Sequence, residues 1–181
     1  NSTNSIELAA TIVYSMGVCM MFGFSALYHR VDWTSRVLTI MRRLDHSAIF
    51  VMIAGSFTPI CLLVLPGDTG IQLLFIIWSI AGIGILQSVV FTETPRLIRA
   101  GIYLVAGYMV IPYLSVMFSV MSMTNFTLTT AGGTIYTVGA IGYGFKFPDI
   151  SPKYFGYHEF FHVLVSIAAV LHFIVVYSIV G

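Results

Sequence analysis

Charge is what this chain has least of. Lys and Arg number 8 and Asp and Glu 7 in 181 residues, so 8% of the chain is charged, against roughly 25% in soluble domains. Such a shortage leaves too little polar side chain to clothe a water-facing surface. A net charge of +1 supplies no basic patch, which argues against nucleic acid as a partner. Cysteine is nearly absent: Cys19 and Cys61 both fall inside apolar runs, where a thiol behaves as a small hydrophobe, so neither a disulfide framework nor a cysteine metal site is expected. No polar stretch is long enough for a soluble domain, a disordered tail or a linker, and the expectation is one transmembrane domain over residues 1–181. No basic segment or small-residue cleavage site precedes the first apolar run, and residue 1 is Asn. The sequence therefore reads as a trimmed or mature fragment from which an earlier span is missing.

What the chain has instead is long hydrophobic runs. Hydrophobic residues make up 58% of it and its mean hydropathy is +0.95. A helical span needs about 20 mostly apolar residues, and such runs lie near 7–29, 40–65, 71–91, 97–122, 127–146 and 158–180. The predicted class is all-α, a multi-pass bundle with six visible spans and membrane lipid as its solvent. Oligomeric state leaves no sequence signature.

Orientation follows from the basic residues. Arg30, Arg36, Arg42 and Arg43 are assigned to the first loop, Arg96 and Arg99 to the third, Lys146 and Lys153 to the fifth, while the second (Pro66, Gly67, Asp68) and fourth (Thr124, Asn125) carry none. Loops one, three and five are thus expected in the cytoplasm of a cell-membrane protein. Asn125-Phe126-Thr127 matches a glycosylation acceptor in an outer loop, a tripeptide that chance supplies easily.

That topology gives the histidines their meaning. His158 and His162 form an i, i+4 pair on one helix face, and His29 closes Ser25-Ala26-Leu27-Tyr28-His29 at the end of another helix. All three are expected at cytoplasmic helix ends, where three imidazoles would make a zinc site with one open position. Asp45 is expected at the same depth, as an acid just inside an apolar helix that must pair, bind metal or meet water. Plainer readings stand beside these: each His as an interfacial hydrogen-bonding residue, Asp45 paired with Arg42 or Arg43, and Ser25 bonded back to its own helix. Gly132, Gly133 and Gly139 read as close-packing residues, and His46 and His172 as structural. Pro59 and Pro112 should kink their helices.

Several of these motifs, in order from Ser25 to His172, carry a resemblance: Ser25 to His29, Leu44-Asp45-His46-Ser47 followed by Ile53 to Pro59, the Gly132 to Ala140 segment, and His158 to His162. Together they resemble the hemolysin III branch of the progestin and adipoQ receptor family, related to the alkaline ceramidases. The resemblance implies a seven-helix bundle whose first helix is missing here, with zinc near the cytoplasmic face on His29, His158 and His162, and with Asp45 and Ser25 at the remaining polar positions, the aspartate near a zinc-bound water. Three neutral ligands leave zinc its full charge, so its water can reach a pKa of about 7, with Asp45 orienting it or taking its proton. A site at headgroup depth would suit a lipid substrate inside the bundle, and the expected activity is zinc-dependent hydrolysis of a ceramide-like amide. The alternatives are a receptor-like or cytolytic membrane protein with a structural zinc, closed by Asp45 as fourth ligand, and an intramembrane metalloprotease. The last is suggested by the letters H-E-x-x-H at 158–162; against it, no acid follows in the remaining 19 residues.

Overall fold

A computed structural model describes residues 2–151 and 154–181. Lys153, one of the basic residues assigned to the fifth loop, lies outside the described residues. The chain forms helices α1 (Ser2–Arg30), α2 (Ser35–Leu63), α3 (Gly67–Val90), α4 (Arg96–Tyr108), α5 (Leu114–Val120), α6 (Met123–Phe145) and α7 (Tyr157–Val180). No β-strand occurs among the described residues, and the fold is an all-α bundle as expected.

Among the described residues, five stretches are long and apolar enough to cross a membrane: Asn4–Arg30, Ser35–Leu63, Gly67–Val90, Arg96–Val120 and Tyr157–Val180. Six were expected. The difference is α6, which covers the predicted 127–146 run as a helix but carries six threonines and five glycines that dilute its apolar character. The fourth stretch is also not one helix. Pro112 stands in a 3₁₀ turn at Ile111–Tyr113 that separates α4 from α5, because a residue without an N–H cannot continue the ladder. Around Pro59, by contrast, α2 runs on unbroken. The connection between α1 and α2 shrinks to residues 31–34, so Arg36, Arg42 and Arg43 lie inside α2 rather than in a loop. Asn125, too, sits in the first turn of α6, capped by Ser122, whose hydroxyl accepts from its N–H at 3.2 Å.

The chain divides into two compact units, one ending at Glu93 and one running from Thr94 to Ile179. In the first, α2 lies between α1 and α3. Its upper half is a core in itself: Ala48, Phe50, Met52, Ala54 and every residue from Gly55 to Cys61 are buried. Helix α3 meets it along Gly70, Leu73, Ile77, Ala81, Gly84 and Ser88, a seam recurring every three or four residues as one helical face requires. Space at that seam comes from missing side chains. A Cβ at Gly84 would enter the Phe50 ring, and a Cβ at Gly55 would stand 3.3 Å from the Val13 carbonyl of α1. The far side of α3 carries Phe75, Ile83 and Leu86, exposed by 75%, 68% and 63%. Large apolar groups in such a row belong against hydrocarbon rather than water.

In the second unit, α4 packs on α6 through Gly144, whose Cβ would stand 3.1 Å from Leu97, and the Tyr108 hydroxyl donates to Thr137 Oγ1 at 3.1 Å. Helix α7 meets α6 where Asn125 donates to Ser178 at 3.2 Å. The ring of buried His172 lies at the same interface, its Nε2 3.2 Å from the Thr129 carbonyl. A carbonyl only accepts, so this nitrogen carries the proton.

Candidate metal centre

His158 and His162 stand in the first two turns of α7. The helix begins after Gly156, whose backbone N–H donates to Glu159 Oε2 at 3.0 Å, half of a capping box that satisfies one of the orphan donors at a helix start. With the start fixed there, the i, i+4 spacing brings both imidazoles to one face. Their Nε2 atoms are 3.0 Å apart, with ring centroids at 4.6 Å and planes at 80°. Two nitrogens each ~2.0–2.1 Å from one tetrahedral ion lie about 3.3–3.4 Å apart. The pair therefore fits a shared ion with a shift of a few tenths of an ångström, and imidazole suits zinc. Both rings are half-buried. Tyr143 of α6 packs against His158 with centroids at 5.7 Å, and Phe161 lies 5.7 Å from His162; such packing limits ring rotation.

Glu159, the residue that would serve as general base in a zincin, is exposed and spends its carboxylate on the helix cap. Its place in the H-E-x-x-H string is thereby explained by folding.

The other predicted residues belong to the first unit. His29 is exposed near the C-terminal end of α1, edge-on to Tyr28 at 4.6 Å. That helix end is tied down by Trp33, whose indole N–H donates to the Leu27 carbonyl at 2.8 Å and so satisfies one of the carbonyls left over at a helix terminus. Asp45 is half-buried, eleventh in α2 rather than at its opening, because that helix starts before the apolar run does. Ser25 is half-buried too. Where α1 and α2 touch, Gly17 faces Val51 and Met52, and Val13 faces Gly55. Continued antiparallel, that register sets Ser25 level with residues 43 and 44, within a turn of Asp45. Of the two arginines anticipated as partners of the aspartate, Arg42 and Arg43, the first pairs with Glu93 at 2.5 Å.

One arrangement escaped sequence reading. Arg96, taken only as a marker of membrane side, donates from Nη1 to the Tyr157 hydroxyl at 2.9 Å, and its guanidinium lies 5.3 Å from the Tyr157 ring centroid and 5.9 Å from that of Tyr143. The residue preceding His158 is thus held by a cation 61 positions away.

Comparison with known proteins adds an independent line. The family described as Haemolysin-III related matches residues 1–173. A Bacillus cereus protein named Hemolysin-3 is 36% identical over 143 residues, covering 78% of this chain and 64% of that protein, and a Bacillus subtilis Hemolysin-3 homolog is 32% identical over 146 residues, 81% of this chain and 68% of the relative. An adiponectin receptor protein of Drosophila melanogaster is 31% identical over 179 residues, 88% of this chain but 40% of the relative. The chain thus spans about two thirds of the length of its bacterial relatives.

Proposed function

The chain belongs to the Haemolysin-III related family and is a membrane protein, and we propose that it is a multi-pass protein of the cell membrane that binds zinc through His29, His158 and His162 near its cytoplasmic face and hydrolyses a ceramide-like lipid amide. One observation supports the proposal above all: the two Nε2 atoms of α7 stand 3.0 Å apart on one face of the helix, at hydrogen-bond distance and a few tenths of an ångström inside the spacing of two ligands of one tetrahedral ion. Zinc, when bound by neutral imidazoles, supplies Lewis acidity toward an amide carbonyl.

The protein's own groups have the remaining tasks. Asp45, half-buried and within a turn of Ser25 by helix register, is placed to accept a proton at its carboxylate, and the Ser25 hydroxyl to orient the group that gives it up. A lipid amide fits the depth, since its polar linkage lies at the level of the headgroups while its chains extend along the helices.

Zinc per protein, measured by elemental analysis on chain purified without added metal, tests the first half. Stoichiometric zinc lost in His29→Ala and His162→Ala but kept in Asp45→Ala is the expected result. Loss in Asp45→Ala as well would mark a closed, structural site and favour the receptor-like reading, which the name of the Drosophila relative also suggests. Well-folded wild-type protein without zinc would overturn the metal proposal. The hydrolytic half falls if the zinc-loaded protein releases no fatty acid from a panel of lipid amides. A lytic role, suggested by the name of the Bacillus cereus relative, predicts dye leakage from liposomes that contain the purified protein.

A further inference from the structure

Among the described residues, Arg96 is a cation without a counter-ion. Its partners are the Tyr157 hydroxyl and the faces of Tyr157 and Tyr143, and its buried Nε meets no hydrogen-bond acceptor among the described residues. The second unit has two acids, and neither is a partner of Arg96. Glu159 caps α7 through Gly156, and Asp149 Oδ1 also lies against Gly156. One turn further along α4, Arg99 donates to the Thr94 carbonyl at 2.8 Å and lies beside Tyr143.

Sorting by membrane side needs only positive charge near a span end. It does not need a guanidinium set over two neighbouring rings with its fork fixed by a hydroxyl. Such fixing is what recognition of a planar-forked or tetrahedral oxyanion requires, and these contacts hold the charge in place while leaving it unneutralised. The depth is suitable as well. Arg96 opens one candidate span and Tyr157 another, which sets the pair where lipid phosphates lie, with tyrosines as interfacial residues.

We propose that Arg96 and Arg99, framed by Tyr143 and Tyr157, bind a phosphate group, carried by an anionic lipid headgroup or free in solution. The site needs no zinc, and zinc content and lipid binding can fail separately.

The test uses the purified chain in uncharged detergent, titrated with dioleoyl phosphatidylglycerol and, separately, with inorganic phosphate, with binding read by native mass spectrometry and by the shift in thermal unfolding. Arg96→Gln should weaken phosphatidylglycerol binding by about tenfold, the worth of one charge-assisted contact. Arg36→Gln, which removes an exposed arginine of α2, should leave it unchanged. Should Arg96→Gln lose helical content, Tyr157→Phe takes its place: it removes only the hydroxyl that fixes the guanidinium and should weaken binding by a smaller factor. Displacement of the lipid by inorganic phosphate would identify the free anion as a ligand, and failure to displace it would identify the headgroup. Equal binding by wild type and whichever of the two variants is folded, an equal loss in Arg36→Gln, or no binding of either probe to wild type would overturn the proposal.

Discussion

The two units solve the same packing problem with opposite materials. In the first, helices approach until backbone meets backbone at Gly55 and Gly70 and a side chain at Gly84, and α2 has 67% of its most apolar window buried. The second has 11% of such a window buried over Arg96–Val120 and 33% over Tyr157–Val180, and besides the contact at Gly144 its helices are joined by hydroxyls, an amide, a histidine and an arginine. Lipid gives helices no hydrophobic reason to associate, so close van der Waals contact and interhelical hydrogen bonds are the two means open to them. Contact fixes shape, and polar groups fix particular atoms. The unit richer in fixed polar atoms is the one holding the histidine pair and the unneutralised arginine.

Substituting one glycine in each unit is the sharpest way to break that comparison. A Cβ at Gly70 runs into the Cys61 carbonyl, which is backbone and cannot rotate aside. Gly70→Ala should therefore destabilise by roughly 1–3 kcal/mol, the range for overpacking. At Gly132 the obstacle is the His172 imidazole, 2.5 Å from the position of a Cβ, and a side chain can swing away. Gly132→Ala should then forfeit the contact with the Thr129 carbonyl, about 1 kcal/mol for one buried hydrogen bond. Thermal unfolding in one detergent ranks the two, and a larger loss at Gly132 would refute the distinction. Smallest is the effect at Glu159. Glu159→Gln keeps an acceptor for the Gly156 N–H and should match wild type in melting temperature and zinc content, whereas Glu159→Ala should melt slightly earlier and still hold zinc. Zinc lost from Glu159→Ala would reinstate that residue as part of the metal chemistry.

Apolar extent was easy to read, helix extent less so. The runs predicted at 71–91 and 158–180 differ by a few residues from Gly67–Val90 and Tyr157–Val180, because there the helix and its apolar segment coincide. Helix α2 begins at Ser35, before its predicted run at 40, since Arg36 is a good helix former that a hydropathy criterion must count as loop. The histidine pair was legible because i, i+4 neighbours need no knowledge of tertiary structure. The hold of Arg96 on Tyr157 was not, for it joins two helix starts 61 positions apart. Gly132 shows the intermediate case: a close-packing role was foreseeable, its neighbour His172 was not, and Gly133 beside it meets nothing within 4 Å.

The threonines of α6 carry one more consequence. Thr129, Thr130, Thr134 and Thr137 each return their hydroxyl to a carbonyl of the same helix at 2.8–2.9 Å, so a segment written in polar letters offers a bilayer few unsatisfied donors. The geometry of its neighbours bears on whether it crosses. Arg96 at the start of α4 holds Tyr157 at the start of α7, so in a bilayer that α4 and α5 span, α6 must lead the chain back before α7 begins. The four internal hydroxyl bonds are what make that return tolerable to lipid.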